Sequence, residues 1–197
     1  MPAPPRDAVV QYPGGIRVRY RWAGSGEGDA VFALSEAGGS LVDLGELVSE
    51  EPERLCRAEL RVDTPAGSWT VRLASAIFDD PTALLWDEPG LLVVKYGFVT
   101  YGLAARAGTL EWSHRSRTPL VAILGSPRLA HVIVQSEIET FALDARGEVA
   151  WRLGHSDVVA AADLVGGRLV LRSYDGQVTA LDPATGRAAP PMGTAGG

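Results

Sequence analysis

The sequence predicts an all-β protein of antiparallel sheets, and three observations predict it. The dominant hydropathy period is two, which puts alternate side chains on opposite faces of a strand. Runs of this kind are separated by turns rich in Gly, Pro and Asp. The second half also repeats itself: Gly108, Gly147 and Gly186 recur at an interval of 39 residues, and Trp112 and Trp151 share that interval. A period of about 40 residues suits a four-stranded blade. The expected fold is therefore a small or partial β-propeller, with one short helix near 50–58.

The elements follow in chain order. Met1–Pro5 carries three prolines and is expected to be a mobile arm. Ile16, Val18, Tyr20 and Trp22 alternate with Arg17, Arg19 and Arg21, which makes one strand with an apolar face and an arginine face. A turn at 24–29 leads to an expected partner strand at 30–34. Ser49 as a cap, acids in the first turn and a tolerable Pro52 predict the helix near 50–58. Glu59–Asp63, the turn Thr64–Gly67 and Trp69–Leu73 read as a hairpin. Breaks at Asp79-Asp80-Pro81 and Asp87–Gly90 precede the repeats. This divides the chain into an N-terminal strand region (1–84), three repeats (85–190) and a flexible tail (191–197). The N-terminal strands either add blades or form a small sandwich.

The three repeats are LLVVKYGFVTYGLAARAGTLEW (91–112), VIVQSEIETFALDARGEVAW (132–151) and LVLRSYDGQVTALDPATGRAA (169–189). Each reads as strands joined by tight turns. Asp175-Gly176 is a hairpin signal, because Asp-Gly tolerates positive φ. In Leu181–Gly186 the Asp182 carboxylate can accept from amides two residues on, Pro183 fixes φ, and Gly186 takes the left-handed position. The tryptophan that follows is large enough to fill the wedge between blades.

Ala142-Leu143-Asp144 through Gly147 to Trp151 resembles the A-x-D-x-x-x-G-x-x-x-W signature of PQQ-like, quinoprotein-type β-propeller repeats, one residue short in its turn. Ala180-Leu181-Asp182 through Gly186 resembles it with the full turn, although Pro190 replaces the tryptophan. In the first copy Ala104 stands at the aspartate position, while Gly108 and Trp112 remain. The resemblance covers roughly half of the chain. It implies a propeller fold, and it implies a scaffold or assembly role more than quinone chemistry. Quinoprotein dehydrogenases of this family use seven or eight blades and a calcium-assisted quinone site. Three repeats do not close that ring, and the sequence carries neither vicinal cysteines nor an evident Glu/Asn/Asp calcium set. No cofactor is expected. A homodimer is one way to close the open sheet edges.

Composition narrows the function classes. The chain is 46% hydrophobic and 21% charged with net charge −6, so it buries a core, and nucleic-acid binding is disfavoured. A single cysteine, Cys56, forms no internal disulfide. The N-terminus lacks an apolar leader, and no run approaches a membrane span of about 20 residues. A cytoplasmic location and no membrane contact are expected.

No constellation suggests catalysis: His114, His131 and His155 are scattered, and no nucleophile elbow or phosphate loop occurs. His114 and His155 both follow a repeat tryptophan and are expected in equivalent loops. Cys56, near Arg54 and Arg57, reads as packing. The chain is read as a non-enzymatic protein-interaction module. Its candidate partner contacts are Arg17, Arg19, Arg21, Arg115 and Arg117, which can form bidentate pairs with carboxylates, and the aromatics Tyr96, Phe98 and Tyr101. The alternative reading of the arginine stripe is a solvated outer strand, or pairing with the chain's own Glu46, Glu50, Glu51 and Glu53. Two rival readings remain: an immunity or antitoxin-type inhibitor acting through the acidic run 46–53, and a small-ligand or quinone-binding propeller.

Overall fold

The structure is a computed structural model that describes residues 4–25, 40–45 and 54–189. It divides into two compact units, Met1–Leu120 and Val121–Gly197.

The first unit begins with a five-stranded sheet built from β1 (Arg6–Tyr12), β2 (Ile16–Ala23), β3 (Ser40–Gly45), β4 (Cys56–Thr64) and β5 (Gly67–Ser75), in the order β1-β2-β4-β5-β3. β3 runs parallel to β5, and the other neighbours are antiparallel. The alternation in β2 does what its period requires: Ile16, Val18, Tyr20 and Trp22 are buried on one face. Leu60, Val62, Trp69, Val71 and Leu73 extend that face across β4 and β5. The expected turn Thr64–Gly67 forms; Thr64 Oγ1 donates to Gly67 O at 2.9 Å and accepts from Ala66 N at 3.2 Å.

One expectation is corrected here, one falls outside the described residues, and one strand was not expected. β1 begins just after the prolines, although Val9 and Val10 are both exposed and its own alternation is weak; its pairing with β2 defines it. The partner expected for β2 at 30–34 lies outside the described residues, and β2 takes β1 and β4 as its two neighbours. The helix near 50–58 is corrected over its described part, because Cys56–Ala58 open β4; residues 50–53 lie outside the described residues. Helix propensity is a weak prior, and burying Ala58, Leu60 and Val62 between β2 and β5 overrides it.

The first repeat is a four-stranded antiparallel sheet, β6 (Thr82–Trp86), β7 (Leu91–Tyr96), β8 (Val99–Ala104) and β9 (Leu110–Arg115). Leu92, Val94, Tyr96, Tyr101 and Leu103 share one core with the apolar face of the five-stranded sheet. Polar ties fasten the same seam. Tyr12 Oη donates to Ala83 O at 2.7 Å, and Trp22 Nε1 donates to Asp80 Oδ1 at 2.7 Å.

The second repeat consists of β10 (Leu120–Leu124), β11 (Val132–Ser136), β12 (Glu139–Leu143) and β13 (Val149–Gly154). The third has β14 (Val159–Val165), β15 (Arg168–Ser173) and β16 (Val178–Leu181), followed by a bridge from Leu181 to Ala188. Repeats one and two match in detail. Lys95 pairs with Thr100 as Gln135 pairs with Thr140, and the same irregularity falls at Gly102/Leu103 and at Ala142/Leu143. Trp112 stands opposite Gly102, and Trp151 opposite Ala142. These open antiparallel sheets are the architecture of a partial β-propeller.

Candidate functional site

The chemistry of this chain is concentrated at the turns that end β8, β12 and β16. In each, the first residue's amide closes the loop: Ala104 N to Thr109 O (2.9 Å), Asp144 N to Glu148 O (2.9 Å) and Asp182 N to Arg187 O (2.8 Å). Gly108, Gly147 and Gly186 all take positive φ there, as their recurrence predicts. Asp144 Oδ1 accepts from Arg146 N at 2.8 Å and Glu148 N at 3.0 Å, and Asp182 Oδ1 accepts from Ala184 N at 2.8 Å. The Glu148 and Arg146 amides, aided by the Arg146 guanidinium, hold the Asp144 carboxyl below the usual carboxylate range. Ala104 keeps the turn without the carboxylate.

Two of these turns receive a tryptophan. The Trp151 ring packs on the α-carbon of Gly186, and Trp69 packs the same way on Gly108. Trp69 Nε1 donates to Ala105 O at 3.0 Å. At the third turn the equivalent carbonyl, Pro183 O, accepts from His131 Nε2 at 2.8 Å, and the Trp151 ring meets the imidazole edge-on. Trp69 lies outside the repeats, so the period does not reveal it; its position on the buried face of β5 is the signal present in the sequence.

Some of the polar groups at the strand ends are tied into the sheets. Lys95 Nζ lies 2.7 Å from both carboxylate oxygens of Asp79, and Asp79 Oδ2 also accepts from Gly97 N at 2.7 Å. At the matching place in the second repeat, Thr140 Oγ1 donates to Gln135 Oε1 at 2.5 Å and lies 2.6 Å from His155 Nε2. His155 corresponds to Ser116 and not to His114: His155 N bonds Ile138 O as Ser116 N bonds Phe98 O, both at 2.8 Å. The expectation that the two histidines are equivalent is thus corrected. The cause is their spacing from the repeat tryptophan: His114 follows Trp112 by two residues and lies opposite Thr100, whereas Leu153 holds that place in the second repeat and His155 follows Trp151 by four.

The arginine stripe sits on the polar face of the five-stranded sheet, where local acids meet it. Arg19 reaches Asp63 (3.3 Å), Arg21 reaches Asp7 (3.5 Å), and on the same face Arg61 reaches Asp63 (3.3 Å) and Arg72 the buried Glu59 (3.4 Å). Arg17 is exposed and has no ion-pair partner among the described residues. The acidic run 46–53, which the inhibitor reading needs, lies outside the described residues.

The aromatic candidates separate. Tyr96 and Tyr101 are 1% and 3% exposed and belong to the core, so neither offers a contact surface; their places in β7 and β8 point them at the five-stranded sheet. Phe98, at the β7–β8 turn, is half-buried, and the exposed Arg115 guanidinium stands over its ring at 5.7 Å. Arg117, two residues beyond, is exposed. Cys56 is buried, and burial pushes its thiol pKa up, as packing requires. Among the described residues no cluster of His, Cys, Asp and Glu is placed to hold a metal, and no helix is long and apolar enough to cross a membrane.

The first unit also contains a cleft of about 630 Å³. Its walls are the loop before β2, the β4–β5 turn, the end of β6 and the turn after β8, with Asp87 and Arg106 as its charged residues.

Comparison with known proteins agrees with this geometry. Residues 96–189 match the family described as outer membrane protein assembly factor BamB. This segment is built of PQQ-like β-propeller repeats. Among solved structures, the computationally designed Ika8 protein aligns with 92% of this chain and 59% of its own at TM-score 0.54 and 13% identity, which shows the fold. BamB from Moraxella catarrhalis aligns at TM-score 0.44 and 14% identity over 54% of this chain and 35% of its own. The WD40 domain of Neurospora crassa Pan2 aligns at TM-score 0.48 and 19% identity over 76% and 47%. The chain therefore spans less than two thirds of each of these structures. The comparison with curated proteins finds no match.

Proposed function

We propose that this chain is a non-enzymatic, protein-binding scaffold whose contact is built on Phe98, Arg115 and Arg117. The observation that carries this reading is the half-buried Phe98 ring at a hairpin tip, with the exposed Arg115 guanidinium stacked on it. An aromatic ring beside arginines is the composition that anchors protein interfaces, and the rigid sheet beneath holds it at low entropic cost. Two further points support the reading. The buried Lys95, Gln135 and Thr140 and the half-buried Asp79 are engaged in bonds that fix strand ends, and the matched family is described as an assembly factor. The net charge of −6 and the acids set among the arginines of the five-stranded sheet favour a protein partner over nucleic acid.

The test places a benzophenone photocrosslinker at position 98 in cells of the native host. One dominant protein adduct is expected, and R115E/R117E should abolish it while leaving the unfolding midpoint unchanged. Adducts that persist undiminished in R115E/R117E, or a catalytic turnover of the purified chain, would overturn the reading.

A further inference from the structure

The first and third repeat turns share one backbone, the second is one residue shorter, and the first alone lacks the aspartate. In the third, Asp182 Oδ1 accepts the amide of Ala184 at 2.8 Å, and in the second Asp144 Oδ1 accepts the amide of Arg146 at 2.8 Å. The first turn has the length of the third: Ala104 N bonds Thr109 O as Asp182 N bonds Arg187 O, and Gly108 N and Gly186 N bond Ala104 O and Asp182 O, each at 2.8 Å. Arg106 therefore stands where Ala184 stands. Ala104 supplies no carboxylate, and the Arg106 amide has no acceptor among the described residues. The Arg106 side chain is exposed and has no ion-pair partner there either. Ala104 and Arg106 both line the cleft of about 630 Å³, whose size is in the range of small-ligand sites.

We propose that this cleft binds a carboxylate, which occupies the place of the missing aspartate side chain. Its oxygens accept from the Arg106 amide and from the Arg106 guanidinium, a charge-assisted arrangement that suits a carboxylate's paired acceptors. The apolar body attached to it lies against Ile16, Pro65 and Leu85. Asp87, on the same wall, adds preference for a ligand that also carries an amine and works against a second acid. The carboxylate can belong to a free small acid or to a peptide, and the chemistry at Arg106 is the same. The cleft lies at the end of β8 opposite Phe98, so it stands or falls independently of the contact proposed above.

The experiment uses the full chain labelled with ¹⁵N and titrated with hexanoate, with hexanol as a neutral control. Hexanoate is expected to move the Arg106 amide resonance with a Kd on the order of 1 mM, and hexanol is not. The peptide Ala-Ala-Leu-Leu as free acid and as C-terminal amide separates the sources: a shift with the free acid alone shows that a peptide carboxylate is accepted, and a shift with hexanoate alone restricts the site to small acids. A104D restores the internal carboxylate; it should raise Tm by about 2–4 °C and abolish hexanoate binding together. R106Q should weaken hexanoate by about tenfold or more. The proposal is overturned if the Arg106 amide moves with none of the acids, or if A104D and R106Q bind hexanoate as tightly as the parent chain.

Discussion

Trp69 lies flat on the bare α-carbon of Gly108: a methyl group added there would sit 2.4 Å from the indole ring. Trp151 stands in the same relation to Gly186, again at 2.4 Å. The N-terminal sheet therefore engages the first repeat's turn through the device that the second repeat uses on the third. An indole covers a glycine that only a residue without Cβ could supply, because the turn needs positive φ and the ring needs the space.

This geometry separates two costs that a glycine substitution usually mixes. Gly14 and Gly108 have nearly the same φ, 73° and 74°, but nothing lies within 4 Å of a Cβ placed on Gly14. G14A should therefore cost about 1 kcal/mol, the left-handed strain alone. G108A must also displace Trp69 and should cost about 2–4 kcal/mol. Urea unfolding of the two variants checks this; equal losses would mean that the indole does not define the turn.

The Lys95–Asp79 pair is a second test of the first repeat. Lys95 is 4% exposed, and Asp79 serves both its ammonium and the amide of Gly97. D79A leaves the Gly97 amide without an acceptor and the buried Lys95 ammonium with only the Asp80 carbonyl at 3.4 Å, so a loss of about 3–5 kcal/mol is expected. K95M should cost distinctly less, because Asp79 keeps the Gly97 bond and is within reach of solvent. The order of the two denaturation midpoints decides the matter.

Much of this was legible in the sequence, for reasons that can be assigned. The interval of 39 residues located Gly108, Gly147 and Gly186, because a left-handed turn residue recurs at a fixed place in each unit and few residues but glycine satisfy it. It also located Trp112 and Trp151 at matching strand positions. What escaped was non-local. Trp69 acts on a turn 39 residues away from a sheet that does not repeat, and no period marks it. The helix expected near 50–58 rested on local signals at 49–55, and pairing with β2 and β5 makes Cys56–Ala58 strand. Tyr96 and Tyr101 looked available for contact because a strand has two faces, and both of theirs are covered. The vacancy at Ala104 was visible as a departure from the repeat, but its consequence needed the adjoining cleft.

The aspartate caps give a pH-dependent prediction. Backbone amides of Glu148 and Arg146 hold the Asp144 carboxyl below its ordinary range. A group depressed in the folded state adds stability above its unfolded pKa, and that contribution is lost as pH falls through the folded value. D144A should therefore be less stable than the parent at neutral pH, by less than about 1 kcal/mol because solvent screens the site. The two proteins should converge under acid conditions, below the ordinary carboxylate range. Thermal unfolding of both proteins across that range measures the gap; a gap that widens in acid would refute the cap.

His155 should impose a slope of its own at higher pH. Its ring is partly buried, 2.6 Å from Thr140 Oγ1, and the Thr140 hydroxyl proton is already given to Gln135. The imidazole Nε2–H therefore donates to Thr140, and burial lowers the ring's pKa below 6.5, with Glu139 opposing in part. The unfolded chain then binds its proton first as pH falls. Between the unfolded and the folded pKa the unfolded state holds more protons, so stability is full above about pH 6.5 and declines below it. H155Q has no titrating ring and should lose that decline. The urea midpoint of each protein at pH 7.5 and pH 5.5 provides the check, alongside the His155 ring proton shift in the parent. Parallel pH profiles for parent and variant would show that the imidazole titrates alike in both states and that its place beside Thr140 carries no pH sensitivity.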